Sequence, residues 1–274
     1  MTWLSAILLG LIQGVAEFLP ISSSGHLAFC QKYFNMQTPD MFFDILLHIA
    51  TLLAVFVAYW SEIKAIILEF FTMVGVRRLP DGQKPDMMSR RMILFIVIAT
   101  LPLFVIMPFD DKIGELKDQP IALGCAFLVT GAILFLSDRL RRGNKDLKNA
   151  TIVDALLVGL AQMCATVPGI SRSGSTIAAG MGRGFTREFA VKFSFLMSIP
   201  AILGACVLKL IDAITVGVTW DPVYFVGMVV AAVSGYLSIC LLKFITKRGS
   251  FGAFCYYCWG VGLVTLALAL FHEV

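Results

Sequence analysis

The sequence predicts an all-α integral membrane protein: six transmembrane helices plus two re-entrant helical hairpins, arranged as an inverted-topology repeat. Composition is the first reason. Of 274 residues, 58% are hydrophobic and only 15% are charged, with mean hydropathy +0.86; a soluble domain carries about 25% charged residues. The second reason is the length of the apolar runs. They are uniformly apolar, without the period-2 alternation in roughly 10-residue segments that marks a membrane β-barrel. The third is a pair of polar motifs, Gln13 to His26 and Gln162 to Ser175, set inside apolar segments. Gln13 and Gln162, Ser22 and Ser171, and Gly25 and Gly174 are each 149 residues apart. Each motif carries a helix breaker and clustered hydroxyls. Broken backbone at membrane depth survives only where it is buried in protein or lines a wet cavity. Two such breaks, in corresponding halves, point to one composite polar site.

The first element, about 3–29, contains Gln13, Glu17 and Pro20 and is too interrupted for a simple span. It lacks a basic leader region, so it does not read as a cleavable signal peptide. Apolar stretches at roughly 41–60, 92–109 and 120–137 follow, each close to the ~20 residues a bilayer requires. Between the first two lies 61–76, apolar on part of its surface but carrying Lys64 and Glu69, which reads as an interfacial helix. The second interrupted element, about 152–187, is followed by spans at 193–211, 222–245 and 251–271.

Loop charge orients these elements. Lys64, Arg77, Arg78, Lys84, Arg90 and Arg91 fall in 61–91; Arg139, Arg141, Arg142, Lys145 and Lys148 in 138–150; Lys243, Lys247 and Arg248 between the last two spans. These loops should be cytoplasmic. The second interrupted element then enters and leaves on the basic side, and the first dips in from the outer side. Each half is one hairpin plus three spans, 1–137 and 150–274, within a single membrane domain over 1–274. Three is odd, so the halves have opposite orientation. The net charge of +4 belongs to these loops and implies no nucleic-acid partner. The seven cysteines show no ligand framework and read as small apolar packing residues.

The polar residues carry the chemistry. Glu17 lies one helical turn after Gln13 on the same face. A carboxylate at membrane depth needs an ion pair, water or a cation. Arg172 is one candidate partner; a divalent ion held by Glu17 and Gln13 is another. Ser22, Ser23, Ser24 and Gly25 follow Pro20 like a helix start, with hydroxyl caps and free N–H groups that suit an anion. Ser171, Ser173 and Gly174 repeat that start, and Arg172 adds a guanidinium fork for phosphate. His26 lies within a turn of Ser22 and Ser23 and is an acid–base candidate. Asp44 and His48 share a helix face; they flank the site or pair with each other. The set suits phosphoryl chemistry on a membrane-bound phosphate ester or anhydride. Glu17, Ser23, His26 and Arg172 are the catalytic candidates; Ser23 is the favoured nucleophile, with Glu17 or His26 as its base, and attack by His26 or by water are the alternatives. The other serines and glycines named here would bind substrate.

The Gln-x-x-x-Glu-Phe-Leu-Pro-x-Ser-Ser-x-Gly-His block at 13–26 and the Pro-Gly-x-Ser-Arg-Ser-Gly block at 168–174 resemble the undecaprenyl-diphosphate phosphatases, also called bacitracin-resistance proteins. The resemblance spans the whole chain. It implies a bacterial inner-membrane, multi-pass enzyme that converts undecaprenyl diphosphate to undecaprenyl phosphate for wall-polymer synthesis. It also implies a site open to the periplasmic side, a divalent metal (Mg or Ca), and matching roles for Glu17, Ser23, His26 and the Ser171-Arg172 pair. Gln13 stands where many members carry Glu, and His48 where Gln is expected. The partners expected are the polyprenyl diphosphate, membrane lipid and, at most, a second copy in a homodimer. A lipid-phosphate flippase or anion transporter is the other reading, because inverted repeats with broken helices are also transporter architecture.

Overall fold

A computed structural model describes residues 1–34, 41–79, 84–140, 143–218, 220–248 and 251–272; Arg141 and Arg142 of the basic loop lie outside them. The described elements are helical. In chain order they are α1 (Trp3–Phe18), α2 (Ser23–Tyr33), α3 (Met41–Ala58), α4 (Trp60–Met73), α5 (Met87–Ile106), α6 (Asp110–Gly114), α7 (Pro120–Arg139), α8 (Ile152–Cys164), α9 (Arg172–Gly182), α10 (Arg187–Val216), α11 (Pro222–Arg248) and α12 (Gly252–His272).

Six of these helices, α3, α5, α7, α10, α11 and α12, are long and apolar enough to cross a membrane. They fall where the apolar runs predict them. Large apolar side chains such as Phe104, Leu136, Val207 and Leu237 stay exposed on their outer surfaces, as lipid-facing positions require. The chain is a multi-pass membrane protein. The 61–76 stretch is α4, a 14-residue helix, shorter than a span needs.

The two interrupted elements are two pairs of short helices, α1 with α2 and α8 with α9. Their starts keep the spacing of the motifs: Trp3 and Ile152 open α1 and α8, and Ser23 and Arg172 open α2 and α9, each 149 residues apart. The caps correspond too. Thr2 accepts a hydrogen bond from Ser5 N at 3.1 Å, and Thr151 accepts one from Asp154 N at 3.2 Å. In the second case Asp154 answers by accepting from Thr151 N, which completes a capping box.

Glycines let these pairs sit close to the spans. Gly10 of α1 packs on α11, where an added Cβ would lie 2.4 Å from Gly227 O; Gly159 of α8 packs on α5, where it would lie 2.5 Å from Ala99 O. Phe18 at the end of α1, Phe193 and Phe195 near the start of α10 and Phe95 in the middle of α5 meet in one buried cluster. The cysteines divide. Cys206, Cys255 and Cys258 pack inside, but Cys125, Cys164 and Cys240 are exposed, so the internal packing role holds for only part of the set.

Candidate active site

The site forms where the two helix breaks meet. In the first, Leu19 and Pro20 stop α1. Ser22 then takes a positive φ of 71°, the one such non-glycine among the described residues. A serine there carries strain of about 1–3 kcal/mol, which surrounding contacts must hold in place. Its Oγ caps α2 by accepting from Gly25 N at 3.3 Å. In the second break, Gly169 adopts φ 92° and Ser171 Oγ caps α9 by accepting from Gly174 N at 3.1 Å. Buried Thr130 of α7 braces this turn. Its hydroxyl donates to Gly169 O at 2.9 Å and accepts from Ser171 N at 3.0 Å. Both serines are thus the helix caps that the motifs predict.

Glu17 is the meeting point. Arg172 Nη2 donates to its Oε1. Ser23 Oγ donates to its Oε2 at 2.6 Å, and Gln13 Nε2 donates to the same oxygen at 3.2 Å. The Glu17 side chain is 5% exposed and that of Arg172 24% exposed. The carboxylate is therefore satisfied inside the protein, and the guanidinium keeps an open side. The two motifs touch elsewhere as well. Ser173 Oγ donates to Leu19 O at 3.2 Å. A Cβ on Gly25 would come within 2.9 Å of Gly169 Cα and 2.6 Å of the Phe127 ring, so only glycine allows this approach. The remaining serines pair within their own turns: Ser22 with Ser24 at 3.4 Å and Ser171 with Ser173 at 3.3 Å.

His26 is placed differently. Its Nδ1 lies 2.7 Å from Ser22 O and its Nε2 lies 2.8 Å from Tyr257 Oη. The ring stacks on Tyr257 at 5.6 Å and 6° and stands edge-on to Phe127. Both ring nitrogens have partners other than Ser23 and Glu17. Of the two bases that the sequence leaves open for Ser23, Glu17 is the one in contact with its hydroxyl. Asp44 and His48 pair with each other, Nδ1 to Oδ1 at 3.6 Å, and Lys209 approaches Asp44 at 3.5 Å. Thr130 and Tyr257 escaped the sequence reading. Both are single polar residues inside ordinary apolar spans, with no local pattern to mark them.

Among the described residues, no three His, Cys, Asp or Glu side chains gather, so no dedicated all-protein cage exists. The donor set does fit a metal ion shared with substrate. Gln13 Oε1 is buried without a hydrogen-bond partner, and it belongs to the side chain that contacts Glu17. One carboxylate, one amide oxygen and phosphate oxygens are hard ligands of the kind Mg²⁺ uses when it binds through substrate.

Chemically, a hydroxyl on a buried carboxylate beside a guanidinium is an arrangement able to supply a nucleophile, a base and an anion clamp. Residues 6–264 match the family model described as bacitracin resistance protein BacA. The chain is 39% identical over 275 residues to the undecaprenyl-diphosphatase of Methanobrevibacter smithii, covering 98% of each chain. It is 40% identical over 269 residues to that of Carboxydothermus hydrogenoformans, covering 96% of each. It is 39% identical over 267 residues to that of Halothermothrix orenii, again covering 96% of each. With a family model matched over nearly all of its length and relatives this similar from end to end, the chain belongs to the bacitracin resistance protein BacA family.

Proposed function

We propose that this chain hydrolyses undecaprenyl diphosphate to undecaprenyl phosphate and inorganic phosphate, returning the lipid carrier to cell-wall polymer synthesis and so conferring bacitracin resistance. The names of its relatives support the substrate. The observation that carries the chemistry is the convergence of Ser23, Glu17 and Arg172 from two motifs onto one point.

Ser23 Oγ attacks the terminal phosphorus, and Glu17 Oε2 takes the hydroxyl proton. The bond from that phosphorus to the bridging oxygen breaks, and undecaprenyl phosphate leaves with the electron pair. Arg172 and the N-termini of α2 and α9 hold the phosphate oxygens as charge spreads over them. Glu17 releases the Ser23 proton with the departing lipid phosphate. Water then attacks the phosphoserine, Glu17 takes a proton from it and passes that proton to Ser23 Oγ as the phosphorus–serine bond breaks, and phosphate departs. A divalent ion held by Gln13, Glu17 and the substrate would neutralise phosphate charge. Ser22, Ser24, Gly25, Ser171, Ser173 and Gly174 shape the two helix starts that receive the diphosphate.

The helix pairs α1–α2 and α8–α9 act as re-entrant hairpins in an inverted repeat. The equal spacing of their starts, the paired caps and the paired glycine contacts support this. The basic loops support a reading in which α8–α9 enters from the cytoplasmic side and α1–α2 from the opposite side of an inner membrane, with the site open outward.

A flippase or anion carrier would also use Arg172, but it has no use for a hydroxyl seated on a buried carboxylate. The deciding experiment is phosphate release by the purified full chain in detergent, from a C55 or C15 diphosphate. The enzyme releases stoichiometric phosphate over many turnovers. No release, with lipid binding intact, would leave the transporter reading.

A further inference from the structure

We propose that Tyr257 of α12 is a positioning residue for His26, fixing which ring nitrogen carries the proton and where the other one points. The proposal rests on the reading that His26 belongs to the phosphatase site. Ser22 fixes the tautomer. Its carbonyl, held by the strained turn, can only accept, so the proton shared with His26 Nδ1 at 2.7 Å belongs to the histidine. In the neutral ring the lone pair is then on Nε2. Tyr257 Oη is 2.8 Å from that atom, and a phenol can donate to it.

The ring is also fixed in plane. Tyr257 stacks on it at an interplanar angle of 6°, and Phe127 closes the adjoining side edge-on. Backbone capping alone would leave the imidazole free to turn about its last side-chain bond; the tyrosine removes that freedom. The hydroxyl suits both protonation states. It donates to Nε2 when His26 is neutral and accepts from Nε2–H when His26 carries a second proton. Because Ser23 already has Glu17 as its base, His26 is left for a different proton, and Tyr257 decides from which direction it is exchanged. The partnership joins residues 231 positions apart, from the first motif and the last helix, and no local pattern in either segment suggests it.

The test uses the full chain in detergent and the Tyr257→Phe variant, which keeps the stacked ring and loses only the hydroxyl. kcat should fall about tenfold, below the range of a whole acid–base residue, with KM within about twofold. In a His26→Gln background the same change should cost nothing further, because a residue acting through His26 has nothing left to act on. An equal fold-loss in both backgrounds, or wild-type kcat in Tyr257→Phe, would overturn the proposal. A second readout does not depend on turnover. With imidazole ¹⁵N labelling and His26→Gln to assign the signal, wild type should show protonated Nδ1 and bare Nε2. Tyr257→Phe should move the Nε2 resonance and leave Nδ1 in place. An unmoved Nε2 resonance refutes the positioning role, even if the variant is inactive. Full activity in His26→Gln itself would instead refute the place of His26 in the site, and the spectrum would still decide the tyrosine's role.

Discussion

Glu17 and Arg172 are 155 residues apart in the chain and share one ion pair. Glu17 lies in the last turn of α1 and Arg172 opens α9. A lone carboxylate or guanidinium at this depth costs several kcal/mol; paired, each offsets the burial of the other. The pair also sets the resting state. In the proposed mechanism the substrate's phosphates would draw Arg172 toward themselves, and the carboxylate so released would be the stronger base for Ser23.

Ser23→Ala should lower turnover by at least ~100-fold, while binding of the diphosphate lipid stays within a few-fold of wild type. Rapid quench of the wild type should trap phosphate on Ser23, mapped by mass. An adduct on His26 would replace Ser23 as nucleophile, and the absence of any adduct under burst conditions would favour direct attack by water.

Gly10 and Gly159 should behave alike. An added methyl at either meets backbone, Gly227 O or Ala99 O, which cannot swing aside as a side chain does. Gly10→Ala and Gly159→Ala should each cost about 1–3 kcal/mol and lower the melting temperature in detergent by similar amounts. A melting temperature unchanged in either variant would contradict the close helix packing described for that pair.

Topology can be read by labelling. Single cysteines at Lys112 and Lys148, both exposed, in a cysteine-free background should react from opposite sides of sealed vesicles. Lys148 should label from the cytoplasmic side. Labelling of both from one side would remove the inverted repeat.

The metal proposal turns on Gln13. Chelation should abolish phosphate release and added Mg²⁺ or Ca²⁺ should restore it. Gln13→Glu adds a second carboxylate, so it should lower the metal concentration needed for half-maximal rate by about tenfold or more. If the variant needs more metal than wild type, Gln13 is no ligand.

Much of this site is written locally. Ser22 and Ser171 cap helices because hydroxyls followed by glycine after a proline leave few other local solutions, and that pattern is visible in the chain. The six spans are equally plain, since length and hydropathy define them. What the chain hides is partnership across distance. Nothing near Glu17 says that Arg172 rather than a cation answers it. Nothing near His26 says that its nitrogens turn to Ser22 and Tyr257 rather than to Ser23. Thr130 holds the second turn from the middle of an apolar span, where a threonine has many ordinary uses. These pairings depend on how α1, α2, α7, α9 and α12 pack, which periodicity does not encode.

The central claim is that one composite site, with Arg172 as the phosphate clamp, performs the hydrolysis. The most direct measurement is kcat/KM of Arg172→Lys on a polyprenyl diphosphate. Lysine keeps the charge opposite Glu17 but loses the planar fork that can hold two oxygens at once. The account predicts a fall of at least ~100-fold with the fold and melting temperature near wild type. Turnover close to wild type in the lysine variant would contradict it.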